Sequence, residues 1–176
     1  MHAMPNQLFL DSMTLECEGL EPVPADLLSG STLWPGYPFP ALRRTGAVRE
    51  VQIPCAILSN DFAEITVALG LGGRILSWKD RRTDLELLPR PDVLEVQEGG
   101  PRGFVLPVGL VFGPGIGALG PVDYQLIEPN EVVLHQLVPG VGLSCHARLT
   151  LREDSPQLEV EVRYLNRGAE EATCPS

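Results

Sequence analysis

A chain of 176 residues is long enough for one domain with a sizeable core, one that hides roughly 70% of its unfolded surface. Apolar residues at 44% and charged residues at 20% are ordinary globular composition and exclude a disordered chain. Thirteen basic against 23 acidic residues, a net charge of −10 with Lys79 the one lysine, argue against nucleic acid or an anionic membrane surface as partner.

Eighteen glycines and 17 prolines fill about one position in five, so helix breakers recur too often for long helices. Short strands joined by turns are the expectation. The first 45 residues carry six prolines, and 33–46 (LWPGYPFPALRRTG) reads as an extended arm whose Trp34, Tyr37 and Phe39 pack on the body of the domain. The organisation expected is therefore an arm over 1–46 and a β-domain over 47–176.

From residue 47 onward apolar residues recur with period two. Ile65, Val67 and Leu69 alternate with Glu64, Thr66 and Ala68, and the corner Gly70-Leu-Gly-Gly73 turns the chain into Arg74-Ile-Leu-Ser-Trp78. A polar turn over 79–84 precedes Leu85, Leu87 and Leu88. Strands are expected over 123–128 and 131–138, separated by Pro129-Asn130. In the clearest hairpin, Leu143, Cys145, Ala147, Leu149 and Leu151 form an apolar face that Leu158, Val160, Val162 and Tyr164 continue. Pairing Arg152 with Gln157 sets Leu149 opposite Val160 and Arg148 opposite Glu161. Apolar meets apolar and charge meets opposite charge, and a slip by one residue destroys both matches. The fold class expected is all-β, an antiparallel β-sandwich.

Several motifs carry less chemistry than their spelling suggests. Residues 103–122 hold no charge over 20 positions, but six glycines and three prolines suit a buried strand and a glycine-rich turn rather than a membrane span. Gly115-Ile-Gly117-Ala-Leu-Gly120 spells G-x-G-x-x-G, yet a strand pattern follows it where a dinucleotide site needs a helix N-terminus. Cys145 and His146 are neighbours on a strand, so their side chains leave opposite faces and cannot form a nucleophile–base pair. Cys145 is read as core. His146 shares the wet face with Arg148 and Arg152, as an exposed histidine or as one facing a ligand. His135 has no distinguishing context, and three scattered histidines make no metal site. The cysteines at 17, 55, 145 and 174 have neither zinc spacing nor a C-x-x-C pair. With an N-terminus unlike a secretory signal, they predict a cytoplasmic protein with free thiols. No cofactor and no metal is expected.

Residues 55–67 (CAILSNDFAEITV), 71–78 (LGGRILSW) and 84–88 (DLELL), in that order, resemble the opening strands of the galactose mutarotase-like superfamily, which includes aldose 1-epimerases and hexose-phosphate epimerases. The arm with Trp34-Pro-Gly-Tyr-Pro-Phe39 is similar to that of an uncharacterised branch often joined to tetratricopeptide repeats. Residues 149–166 are similar to the family's central hairpin. The resemblance covers about 33–170 and implies a sandwich of the supersandwich type, of which this chain holds the N-terminal portion. It also implies sugars lying across an open sheet face, and in the enzymes a histidine acid and a glutamate base that open and reclose the sugar ring. Neither catalytic position has a counterpart here: Leu119-Gly120-Pro121 stands where epimerases carry His-Gly, and the chain stops before the later histidine and glutamate.

The resemblance thus implies a carbohydrate-binding domain without catalytic residues of its own. Its alternatives are an epimerase-type isomerase completed by residues outside the chain and a structural fragment. Arg102, before Gly103, is similar to a substrate-facing arginine of the hexose-phosphate epimerases. Arg74 is either a second ligand contact or a tie between strand and loop. The expected substrate-binding residues are Arg102, Arg74 and His146. The expected partners are a sugar or sugar phosphate and a second copy or a C-terminal half that pairs with the sheet edge.

Overall fold

The computed structural model describes residues 7–22, 42–89, 93–95, 97–98, 104–105, 109–110, 122–138 and 143–168. These form an all-β, sandwich-like fold of twelve strands: β1 (Gln7–Pro22), β2 (Leu42–Ser59), β3 (Ala63–Ala68), β4 (Arg74–Asp80), β5 (Leu85–Glu86), β6 (Val93–Leu94), β7 (Gln97–Glu98), β8 (Phe104–Val105), β9 (Asp123–Ile127), β10 (Glu131–Val138), β11 (Leu143–Leu151) and β12 (Leu158–Asn166). One layer is a six-stranded sheet in the order β5-β4-β3-β2-β1-β6, and the other is a four-stranded sheet in the order β12-β11-β10-β9. β7 and β8 pair separately. The described residues contain no α-helix, only a 3-10 turn at Leu69–Leu71.

The main core lies between the layers. Ala56, Leu58, Ile65, Val67 and Ile75 of the larger sheet meet Val132, Leu134, Ala147, Leu149 and Leu151 of the smaller one. Successive strand residues point to opposite faces, so Cys55 and Ile57 face away from this core. They meet Leu15, Ile53, Leu76 and Leu94 in a second cluster on the far side of the six-stranded sheet. A register shift between Thr66 and Val67 lets Leu76 join that far cluster while Ile75 returns to the main core. The expected alternation in 63–69 is present, but both of its faces are covered.

The corner at 70–73 turns on glycine. Gly72 and Gly73 hold φ near +71° and +73°, a left-handed region that costs glycine nothing. A Cβ on Gly73 would lie 2.4 Å from Leu134 Cδ1, so β4 starts against β10 only with a bare backbone there.

Two buried asparagines tie the layers together at one end. Asn60 Nδ2 donates to Arg152 O at 2.6 Å and Ser155 O at 2.8 Å, while its Oδ1 accepts from the N–H groups of Phe62 and Ala63 at 2.8 Å each. One side chain thereby fixes the β2–β3 turn and grips the β11–β12 turn of the opposite sheet. Asn130 Nδ2 donates to Ser59 O at 3.1 Å beside it. At the rim, Glu86 accepts from the backbone N–H groups of Trp78 and Leu88 and from Ser77 Oγ, which leaves Leu85 and Leu87 outward and exposed. In the turn before it, Arg82 and Thr83 hydrogen-bond the Asp80 carboxylate and hold its pKa at about 2.

Of the stretch set apart as an arm, residues 7–22 and 42–46 lie in the sheet. Gln7–Pro22 pairs antiparallel with β2 along its length, and β2 itself begins at Leu42, ahead of the expected start at 47. Trp34, Tyr37 and Phe39 lie outside the described residues, as does most of 103–122 with its glycine motif. The β11–β12 hairpin has the expected register, with Leu149 opposite Val160, Arg148 opposite Glu161, and Arg152 N–H donating to Gln157 O at 3.0 Å. The apolar face of β12 differs from expectation in one respect. Val160 and Tyr164 lie on the core side of this edge strand but stay 36% and 41% exposed, while Leu158 and Val162 of the same face pack against the main core.

Candidate functional site

The four-stranded sheet buries one face in the main core and turns the other, polar face outward. On β11 the outward residues are Ser144, His146, Arg148 and Thr150. Register brings partners to each. The row through His146 reads Asp123, His135, His146, Arg163 across β9, β10, β11 and β12. The next row reads Gln125, Val133, Arg148, Glu161, and the one after it Ile127, Glu131, Thr150, Glu159.

The spacing of the two histidines follows from the ladder. Leu151 N–H donates to Asn130 O at 3.1 Å, which makes that opposed pair hydrogen-bonded. Alternation then makes His135 and His146 a non-hydrogen-bonded pair, the kind whose side chains come closest. Their rings stack with centroids 4.4 Å apart and planes 30° from parallel. Asp123 Oδ2 stands 4.0 Å from His135 Nδ1 at one end of the row. At the other end Arg163 donates to Glu161 Oε1 through Nε at 2.9 Å and Nη2 at 2.6 Å. Arg148 lies 3.5 Å from Glu131.

His146 is therefore half-buried and stacked rather than an isolated surface histidine. Desolvation, then the neighbouring His135, Arg167 and Arg163, push its pKa below the ordinary histidine value. Around it, Val133, Arg148, Glu161, Arg163 and Leu165 line a shallow open depression of about 250 Å³. Nε2 of His135, Nε2 of His146 and Oγ of Ser144 are all shielded from solvent, and none makes a hydrogen bond among the described residues. Most buried polar atoms have a partner, so three without one on a single face mark unused hydrogen-bonding capacity.

Arg74 is elsewhere. It opens β4 opposite Ala68, which faces the far cluster, and its side chain is only 3% exposed. Burial pushes its pKa down. Arg74 and His146 thus belong to opposite sides of the sandwich and share no site. Arg102 lies outside the described residues. Cys145 is core, as expected, and Cys55 is buried separately, in the far cluster. The Cys17 thiol is pushed up by burial, against a smaller opposing effect of Arg49, and is no activated nucleophile. Among the described residues no group of three or more His, Cys, Asp and Glu side chains is placed to hold a metal ion, and no helix is long and apolar enough to cross a membrane.

His135 is the residue that sequence reasoning passed over. The signal was available: strands over 131–138 and 143–151, closed symmetrically across their connection, put His135 opposite His146.

No family model and no curated protein matches the chain. Among solved structures, the chain is similar to a TPR-domain-containing protein from Parabacteroides distasonis, with a TM-score of 0.78 and 18% sequence identity over 95% of this chain. The chain spans 30% of the length of that protein. At this identity the likeness concerns the fold.

Proposed function

We propose that the chain is a carbohydrate-binding domain of the galactose mutarotase-like type, with a sugar or sugar phosphate lying across the polar face of β9–β12 and with no epimerase chemistry of its own. The observation that carries this reading is the open depression on that face, lined by His146, Arg148, Glu161 and Arg163 beside the stacked histidine pair. Sugar hydroxyls donate and accept at once, and a mixed array of imidazole, guanidinium and carboxylate groups offers both functions. The depressed pKa of His146 favours a neutral ring at pH 7, which can accept from a hydroxyl through one nitrogen. A phosphate would be drawn to Arg148 and Arg163, each of which now shares its charge with a glutamate.

The likeness to a TPR-domain-containing protein adds support, because the branch that the N-terminal sequence resembles joins such sandwiches to tetratricopeptide repeats. In an epimerase an acid and a base must each exchange a proton at the sugar ring. Within these 176 residues none matches the family's catalytic histidine or glutamate, and the proposal for them is confined to binding.

The test is a 1H–15N NMR titration of the 176-residue chain with a panel of aldoses and hexose phosphates. Saturable shifts at His135, Ser144, His146, Arg148 and Arg163 are expected, and no shifts across the panel would overturn carbohydrate binding. Polarimetry on freshly dissolved aldose covers the catalytic alternative: accelerated interchange of anomers by the chain alone would restore the epimerase.

A further inference from the structure

The outer edge of β12 has the chemistry of a self-complementary strand. Among the described residues β12 pairs on one side only, with β11. Arg152 N–H donates to Gln157 O, so the opposed pairs of the same parity, 150 with 159, 148 with 161 and 146 with 163, carry the β11–β12 hydrogen bonds. The N–H and C=O groups of Leu158, Val160 and Val162 then point the other way, along the edge.

Natural edge strands are usually blunted by proline, lysine, a bulge or short length. β12, LEVEVRYLN, has nine residues, no proline, glycine or lysine, and a register with β11 that is free of shifts. Its core-side residues Val160 and Tyr164 stay partly exposed, as does the opposite-face Leu165.

We propose that β12 pairs antiparallel with β12 of a second copy of this chain, about a two-fold axis through Val162. Charge favours this register, the one that sets Glu161 and Arg163 against each other twice. With Val162 facing Val162 of the partner copy, Glu161 faces Arg163 and Arg163 faces Glu161, while Val160 and Tyr164 face each other twice on the core side. Centring the pair on Glu161 or on Arg163 sets like charge against like at the axis, and centring it on Val160 sets Glu159 against Glu161. Opposite charges and aromatic–β-branched pairs across strands stabilise a ladder, and like charges weaken it. Parity agrees as well, because the residues that meet at the axis are those whose N–H and C=O groups point outward. Such a contact is isologous and closes after two copies.

The consequence is a continuous eight-stranded sheet with both polar faces on one side. The row His135, His146, Arg163 of one copy would run on into Glu161 and Arg148 of the other. This inference stands apart from the carbohydrate reading, since the pairing involves the edge of β12 whatever the face binds.

Sedimentation velocity on the 176-residue chain at micromolar concentration tests it, with circular dichroism as the check on folding. The wild-type chain is expected to sediment as a dimer. Glu161→Arg and Arg163→Glu should each weaken dimerisation at least about tenfold, since each puts two like-charge pairs across the axis. Mixing the two variants should restore the dimer, because each charge pair across the axis then joins an arginine of one chain to a glutamate of the other. Val162→Pro, which deletes an edge-facing N–H that β11 does not use, should give a folded monomer. A monomeric wild type, single variants that still dimerise, or a mixture that stays monomeric would each overturn the proposal.

Discussion

The two sheets use one periodicity to different ends. In the four-stranded sheet each β11 residue is either core or outward, with Cys145, Ala147, Leu149 and Leu151 buried and His146, Arg148 and Thr150 turned away. In the six-stranded sheet the centre of β2 is buried on both sides, Ala56 and Leu58 towards the main core and Cys55 and Ile57 towards the far cluster. Where this sheet is covered on both faces its strands leave no room for a ligand, and Asp80, Arg82 and Glu86 stand at its rim. A sheet covered on one face keeps the other for chemistry, and the paired histidines lie there.

The sharpest way to break this comparison is to cut into each core. Leu149 is 0% exposed between the layers and Ile57 is 8% exposed in the far cluster. Leu149→Ala is expected to lower the unfolding free energy by about 2–5 kcal/mol, with Ile57→Ala at the lower end of the same range. Urea denaturation of both variants decides the order. A larger loss at Ile57 would make the far cluster, not the space between the sheets, the principal core.

A somewhat smaller effect is expected where the two sheets are joined. Asn60 makes four hydrogen bonds, two to backbone N–H groups of its own turn and two to carbonyls in the opposite sheet. Asn60→Ala removes all four and is expected to cost about 2–3 kcal/mol. Asn60→Asp retains the two acceptor contacts, loses both donor contacts and sets a carboxylate against two carbonyl oxygens. It should be no better than alanine. If aspartate restored wild-type stability, the link between the sheets would contribute nothing and only the turn would matter.

The same contrast explains what the sequence revealed. The β11–β12 hairpin was legible down to its register, because an alternating strand with one wet face allows only one pairing of apolar and charged residues. β1 was not recognised as a strand, although Met13, Leu15 and Cys17 alternate with Thr14, Glu16 and Glu18, since the prolines on either side of it dominated the reading. β2 hid its two-sided burial in a continuous apolar run, which periodicity cannot assign to a face. At the site, His146 was legible as an outward residue of β11. His135 was not singled out, because its significance comes from the strand beside it and shows only once 131–138 is paired with 143–151. Arg74 was named from its neighbours Gly72 and Gly73. Those glycines serve the corner against Leu134, and the arginine is buried on the other side.

The smallest expected effect concerns the stacked pair itself. His146 has its pKa lowered first by desolvation and next by His135, so His135→Gln should move it upward without restoring the full value of a free histidine. The 1H–15N long-range spectrum of the imidazole ring across about pH 5–8 reads this directly. The sign of the stability effect follows from linkage. A histidine whose folded pKa lies below its unfolded one binds its proton more readily in the unfolded chain. It therefore costs the fold nothing above the unfolded value, and stability falls as pH drops from there through the folded value. His135→Gln should narrow that loss, and at about pH 8 it should leave the unfolding free energy within about 0.5 kcal/mol of wild type, as for a surface substitution. A His146 pKa unmoved by His135→Gln would mean that the two rings stack without sensing each other's charge. The outward face of the four-stranded sheet would then be a set of independent side chains, and no more a coupled site than the rim of the six-stranded one.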